Sequence, residues 1–218
     1  MSPDANASRL TLRRVLSSAE PDFDALVQIY TEAHPVSELK PAAELRQMIE
    51  RPEYFFLAMM QDLSVAAFSI SICFPDSDAA LLEYMAVAVA KRNHGIGGLL
   101  FKETTEFPPI AGRYLLIEVD SDKCRSGDRQ DRVRRKSFYR RLGCLEIGGL
   151  SYIMPRVSSA TPPPMEMLIY RSTLPDFVVR SRLRRWLGNC YSQVYHAPSD
   201  DPRIDLMVEH LPLEVPLI

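Results

Sequence analysis

Gly95, Gly97 and Gly98 fall within four residues of one another in a chain that holds only nine glycines. The cluster stands between an apolar run ending near Val89 and another beginning at Ile96. Glycines at such a junction let backbone N–H groups come close to a ligand, and the following helix N-terminus adds partial positive charge. The chemistry on offer is anion binding, most naturally of a phosphate or pyrophosphate. A tight strand-to-helix turn without a ligand is the plain alternative.

No G-K-[ST] follows the glycines, so a P-loop for nucleoside triphosphates is excluded. A dinucleotide fingerprint needs a third glycine where Leu100 stands. Glu118 and Asp120 do lie where such a site places its ribose-binding acid. The further strand–helix units of a dinucleotide fold are missing, which leaves that reading as runner-up. Glu83 and Glu118 each interrupt an apolar run. Burying a carboxylate there without function is costly; a solvated strand edge or pairing with an arginine is the alternative. Cys73, Cys124, Cys144 and Cys190 are widely spaced, with no C-x-x-C, which argues against a zinc site or a disulfide scaffold. No metal is expected.

These residues need elements to hold them. Leu10 and Leu12 alternate with polar residues and predict a strand to about Leu16. Pro21 opens a helix carrying Phe23, Leu26, Val27, Tyr30 and Ala33 to Pro35. A second helix spans Ala42 to Glu50. Strands follow at Tyr54–Met60 and Val65–Phe74, joined by a turn at Gln61-Asp62, and then at Leu81–Val89. A helix at Ile96–Phe107, a strand at Tyr114–Val119, a helix from Asp131 to Leu142 closed by Gly143, and a strand within Cys144–Met154 come next. Ser158–Pro164 reads as a linker. Met165, Met167 and Ile169 alternate as a strand, and Pro175 opens an amphipathic helix with Val179, Leu183, Trp186, Leu187 and Cys190 on one face. That helix either caps the sheet or pairs two copies of the chain as a homodimer. Four prolines after Tyr195 forbid long elements. The expected fold is mixed α+β: residues 1–157 as one domain, and 158–218 as a C-terminal extension packed on it.

The chain has 218 residues, enough for one sizeable core. Lys plus Arg total 26 against 28 for Asp plus Glu, a net charge of −2 that argues against a dedicated nucleic-acid binder. A basic run, Arg125–Arg141, reads as a solvated helix face or as contacts to a phosphate or to an acidic or nucleic-acid partner. No apolar window is long enough for a membrane helix, and the opening MSPDANAS has no apolar leader core. A cytoplasmic protein without membrane contact is expected.

Two segments carry a family resemblance. MAVAVAKRNHGIGGLLF resembles motif A of the GNAT (Gcn5-related) N-acetyltransferases, with Arg92, Gly95 and Gly97 filling its Q/R-x-x-G-x-G/A pattern. SFYRRLGCLEIGG resembles motif B, with Phe138, Tyr139 and Gly143 matching. The resemblance covers roughly Leu10 to Met154, and the element order agrees with that family's central, mostly antiparallel sheet. The chain departs from the pattern at Val89, Asn93 and Cys144.

The resemblance implies acetyl-CoA, or another acyl-CoA, as donor cosubstrate. Backbone at Met85, Ala86 and Val87 would pair with the pantetheine arm, and amides from Arg92 through Asn93, His94, Gly95, Ile96, Gly97 and Gly98 would hold the pyrophosphate. A primary amine on a small molecule or peptide would be the acceptor. Glu83 as first candidate, or Glu118 as second, would take its proton, and Tyr139 would protonate the departing thiolate. A non-catalytic module that binds CoA, or RNA through the basic helix, is the competing class.

Overall fold

The computed structural model describes residues 9–123, 128–156 and 163–218. Cys124, Arg125, the opening MSPDANAS and most of the Ser158–Pro164 segment lie outside them. The chain forms two compact units, Met1–Ile72 with Glu83–Pro108, and Cys73–Leu82 with Pro109–Ile218.

In the first unit β1 (Leu10–Val15) runs antiparallel to β2 (Tyr54–Gln61), from Leu10↔Gln61 to Val15↔Phe56. Its alternating exposure is that of an edge strand. β2 pairs antiparallel with β3 (Ser64–Cys73) through a tight turn in which Asp62 adopts φ 56°. Both strands are buried along nearly their whole length, which explains their unbroken apolar character. Between β1 and β2 lie α1 (Pro21–Ala33) and α2 (Ala42–Ile49). Pro21 occupies the first turn of α1, where a missing N–H costs nothing. Phe23, Leu26, Ile29 and Tyr30 turn that helix's apolar face inward.

β4 (Ala79–Val87) is the strand shared by both units, and α3 (Ile96–Glu106) follows its second half. Ile96 and Leu100 of α3 pack with Met59, Ala66, Ala67, Met85 and Val87. A buried hydroxyl pair, Ser69 with Thr104 at 2.8 Å, ties α3 to β3.

In the second unit the first half of β4 runs parallel to β5 (Tyr114–Asp120), from Ala79↔Tyr114 to Leu82↔Ile117. α4 (Arg129–Arg141) and the short β6 (Leu145–Glu146) come next, then β7 (Met165–Tyr170). β7 is antiparallel to both β5 and β6. Hydrogen-bonded neighbours thus run β1-β2-β3-β4 in the first unit and β4-β5-β7-β6 in the second. The sheet is mixed, mostly antiparallel and flanked by helices, as expected. The strand assigned to the C-terminal extension, Met165–Tyr170, is a full member of it.

Two expectations need correction. Strand pairing within Cys144–Met154 is confined to Leu145–Glu146 and a single bridge, Ile147↔Leu217. Gly149, at φ 75°, turns the chain there. Gly148 lies so close to Pro216 that an added Cβ would meet its carbonyl oxygen at 2.9 Å. Pro175 does not open a helix. It precedes β8 (Phe177–Val179), which pairs with β9 (Glu214–Pro216). α5 (Arg180–Asn189) begins only after it, continues as a π-helical turn over Cys190–Val194, and is followed by α6 (Pro202–Val208). Leu183, Trp186 and Leu187 are fully buried in this unit, and Trp186 Nε1 donates to Asp78 Oδ1 at 2.9 Å. The apolar face of α5 is therefore used as a cap.

Candidate active site

The glycine cluster forms the β4–α3 junction. A short 3₁₀ turn over Val89–Lys91 leads into Asn93 and Gly95, both left-handed at φ 67° and 76°. Gly95 is the N-cap of α3 and carries no side chain to cap it. The first-turn amides of Ile96, Gly97 and Gly98 have no intrahelical acceptor, as in any helix start. A Cβ placed on Gly95 would meet nothing within 4 Å, so the space before the helix is open. Exposed Arg92 is anchored by Nε donating to Val87 O at 3.1 Å. The cradle therefore fits a phosphate-bearing group: open space before the helix, first-turn amides without helical acceptors, and helix polarity. His94 is exposed, consistent with a backbone contribution only. Met85 and Val87 are half-buried on β4, and Ala86 is buried.

Glu83 and Glu118 fall in different units and have unrelated surroundings. Glu83 is withdrawn from solvent. Lys40 Nζ lies 2.7 Å from its Oε1, and Tyr54 donates its hydroxyl to Oε2 at 3.1 Å. Lys40 also reaches Glu44 at 3.3 Å. Burial, then the Glu83 charge, push the Tyr54 phenol far above its ordinary range. This carboxylate is engaged in a buried ion pair with a lysine, where the sequence suggested an arginine.

Glu118 is half-buried on β5, directly after the last β4–β5 pair, Leu82↔Ile117. Tyr152 donates its hydroxyl to Oε1 and Tyr195 donates to Oε2.

Tyr139 is buried near the C-terminal end of α4, packed edge-on against Phe138. Its carbonyl accepts from Leu142 N and Cys144 N, and Gly143 takes φ 90° to allow that closure. Burial raises the Tyr139 phenol while nearby Arg135 opposes the rise, so the hydroxyl keeps its proton at neutral pH. One turn earlier Lys136 is buried among Asp122, Glu146 and Glu166, within 3.3, 2.7 and 2.5 Å. Burial works against its ammonium, yet Glu146 and Glu166 raise it overall. This corrects the view of α4 as a wholly solvated face. Arg132, Arg134 and Arg135 also pair with Asp128, Asp131 and Asp120, leaving less free charge for a nucleic acid.

Cys73 and Cys144 are buried thiols pushed up to about 11 and about 12 by burial, unsuited to act as thiolate nucleophiles. Cys124 lies outside the described residues. Among those residues no helix is long and apolar enough to cross a membrane.

No family model and no curated protein sequence matches the chain. Solved structures do. A protein from Bacteroides thetaiotaomicron assigned to the GNAT family of acetyltransferases superposes with a TM-score of 0.69 at 19% identity, covering 85% of this chain and 98% of its own. This chain has the GNAT fold. The ribosomal-protein-S18-alanine N-acetyltransferase of Escherichia coli gives a TM-score of 0.55 at 18% identity, over 77% of this chain and 96% of that one. NAA60 of Arabidopsis thaliana, solved with acetyl-CoA, gives 0.53 at 12% identity, over 74% and 98%. The first of these overlaps extends further than the Leu10–Met154 span that carries the motifs.

Within the GNAT fold, Arg92, Gly95 and Gly97 lie at the β4–α3 junction and Phe138, Tyr139 and Gly143 at the end of α4. Lys40, Lys136, Tyr152 and Tyr195 escaped the sequence reading. Their partners lie far along the chain, so no local spacing marks them. The single hint was Tyr191 and Tyr195, four residues apart beside the apolar stripe of the late helix.

Proposed function

We propose that the protein is an acyl-CoA-dependent N-acyltransferase that uses acetyl-CoA and a primary amine. The observation that carries this reading is the open, glycine-capped start of α3 within a GNAT fold. Acetyl-CoA supplies an activated thioester; the rest falls to the chain. Amides of Ile96, Gly97 and Gly98 bind the pyrophosphate, with the Arg92 side chain at the rim. Backbone at Met85, Ala86 and Val87 aligns the pantetheine arm as an added strand.

An alkyl ammonium has no lone pair to attack with, so a proton must leave first. Glu118, to which two phenols donate, takes this role in place of Glu83, the first candidate from the sequence. Glu83 is held in its ion pair by Lys40. The free amine then forms a C–N bond to the acyl carbon as the C–S bond breaks. Tyr139 donates a proton to the departing sulfur, and the second nitrogen proton restores the Tyr139 hydroxyl. The sum is ammonium plus thioester giving amide, thiol and one released proton. A cytoplasmic setting accords with thiols rather than a disulfide at Cys73, Cys144 and Cys190.

The test is release of CoA thiol from acetyl-CoA in the presence of alkylamines, aminoglycosides, polyamines and peptides with free N-termini. Turnover with at least one amine, lowered about 10²–10⁴-fold in Glu118→Gln, is expected. Acetyl-CoA binding without thiol release from any amine would instead make this a non-catalytic CoA-binding module.

A further inference from the structure

The C-terminal π-helical turn brings a tyrosine onto the acid of β5. Tyr152 stands just before the backbone of Ile153, and Tyr195 directly follows the π turn, whose closing bond runs from Tyr195 N to Cys190 O. Both phenols donate to Glu118, one to each oxygen. A second layer holds this pair in place. Tyr191 is fully buried and donates its hydroxyl to Ile153 O, fastening the segment that carries Tyr152. Arg203 lies over the Tyr191 ring at 5.1 Å and is gripped by Asp201 through two bonds of 2.8 Å. Single-turn π insertions in helices recur where a side chain must be re-aimed for function.

We propose that Tyr152 and Tyr195 are positioning residues that hold Glu118 ionised and aimed, and that the C-terminal segment thereby completes the site for a cationic amine acceptor. This rests on the acyltransferase reading. Hydrogen bonds donated to a carboxylate favour its charged form. Tyr152 keeps this role at all physiological pH: burial and then the Glu118 charge push its phenol well above its ordinary range. The neighbouring ionisable groups are Cys190, Tyr191, Asp201 and Arg203 of the C-terminal segment.

The experiment uses Tyr195→Phe and Tyr152→Phe, with Glu118→Gln as reference. Tyr195 is half-buried, so its variant preserves packing and keeps the test open if Tyr152→Phe folds poorly. Two readouts are taken: the pH profile of kcat/KM with the best amine, and the infrared carboxylate band that Glu118→Gln abolishes. Loss of either hydroxyl is expected to move both the acid limb and the infrared midpoint upward by about one pH unit. Midpoint and limb unchanged in both Phe variants, in a protein whose wild type turns over, would overturn the proposal and leave the acyltransferase reading standing. A lowered Tm with an unmoved pH profile would likewise reduce the tyrosines to packing. A wild type that neither binds acetyl-CoA nor releases thiol would overturn the reading and the proposal with it.

Discussion

Lys40 Nζ and Glu83 Oε1 lie 2.7 Å apart, with their side chains only 3% and 4% exposed. Two opposite charges removed from water in this way need each other more than the fold needs the pair. Losing one partner strands a buried charge, whereas losing both leaves only the Tyr54 hydroxyl to find another acceptor. Lys40→Met alone is therefore expected to destabilise the protein by about 3–5 kcal/mol, and Lys40→Met with Glu83→Leu to recover most of that. Urea unfolding followed by circular dichroism measures both. Equal losses in the single and double variants would contradict the pairing. Because Lys40 keeps Glu83 out of the proton transfer, Glu83→Gln should leave the pH profile of turnover unmoved, in contrast to Glu118→Gln.

Asp201 caps α6 by accepting from Arg203 N at 3.0 Å while Arg203's guanidinium grips both its oxygens. Arg203 pulls its carboxyl down to about 2. The folded value lies below the unfolded one, so the group adds stability above about pH 4, and loses it as pH falls toward 2. Asp201→Ala should cost about 0.5–2 kcal/mol at pH 7, and the gap from wild type should close between pH 4 and 2. Trp186, the single tryptophan, reports unfolding of this unit by fluorescence. A pH-independent gap would show that the carboxylate charge is not the source.

Tyr139→Phe removes a hydroxyl and keeps the ring that packs on Phe138. Acetyl-CoA affinity should stay within about twofold while kcat falls by about 10²-fold, the signature of a donor used only in the transition state. Unchanged kcat would mean that thiolate leaves unassisted or that product release limits turnover. Loss of binding with a lowered Tm would make Tyr139 a core residue.

The sheet and its first two helices were legible because their signals are local. Phe23, Leu26 and Tyr30 recur at helical spacing behind Pro21, and β2 and β3 are apolar runs bounded by a short polar turn. The glycine loop was legible for the same reason: Gly95 must take a left-handed φ to start α3. What escaped depends on distant partners. β8 exists because Phe177–Val179 finds Glu214–Pro216, and nothing near Pro175 announces that. The strand expected through Met154 stops early because Gly148 and Gly149 bend the chain against Pro216. Glu118 could be picked out as a charge in an apolar strand, but not the two tyrosines that hold it. Lys136 read as one more surface cation, since its three carboxylates come from β6, β7 and the end of β5.

If the start of α3 holds the pyrophosphate of an acyl-CoA, calorimetry with acetyl-CoA must separate wild type from Gly97→Asp. An acidic residue in the first helical turn is favourable for the helix itself, so the variant should fold and keep its Tm. Its carboxylate would occupy and repel the anion's place. Wild type should bind, with acetyl-CoA at 100 Kd adding ~2.7 kcal/mol of stability and raising Tm by about 5–10 °C, and Gly97→Asp should weaken binding by about 100-fold or more. Equal affinity in the two proteins, or a wild type stabilised by NADH and not by acetyl-CoA, would contradict an acyl-CoA site at this helix start.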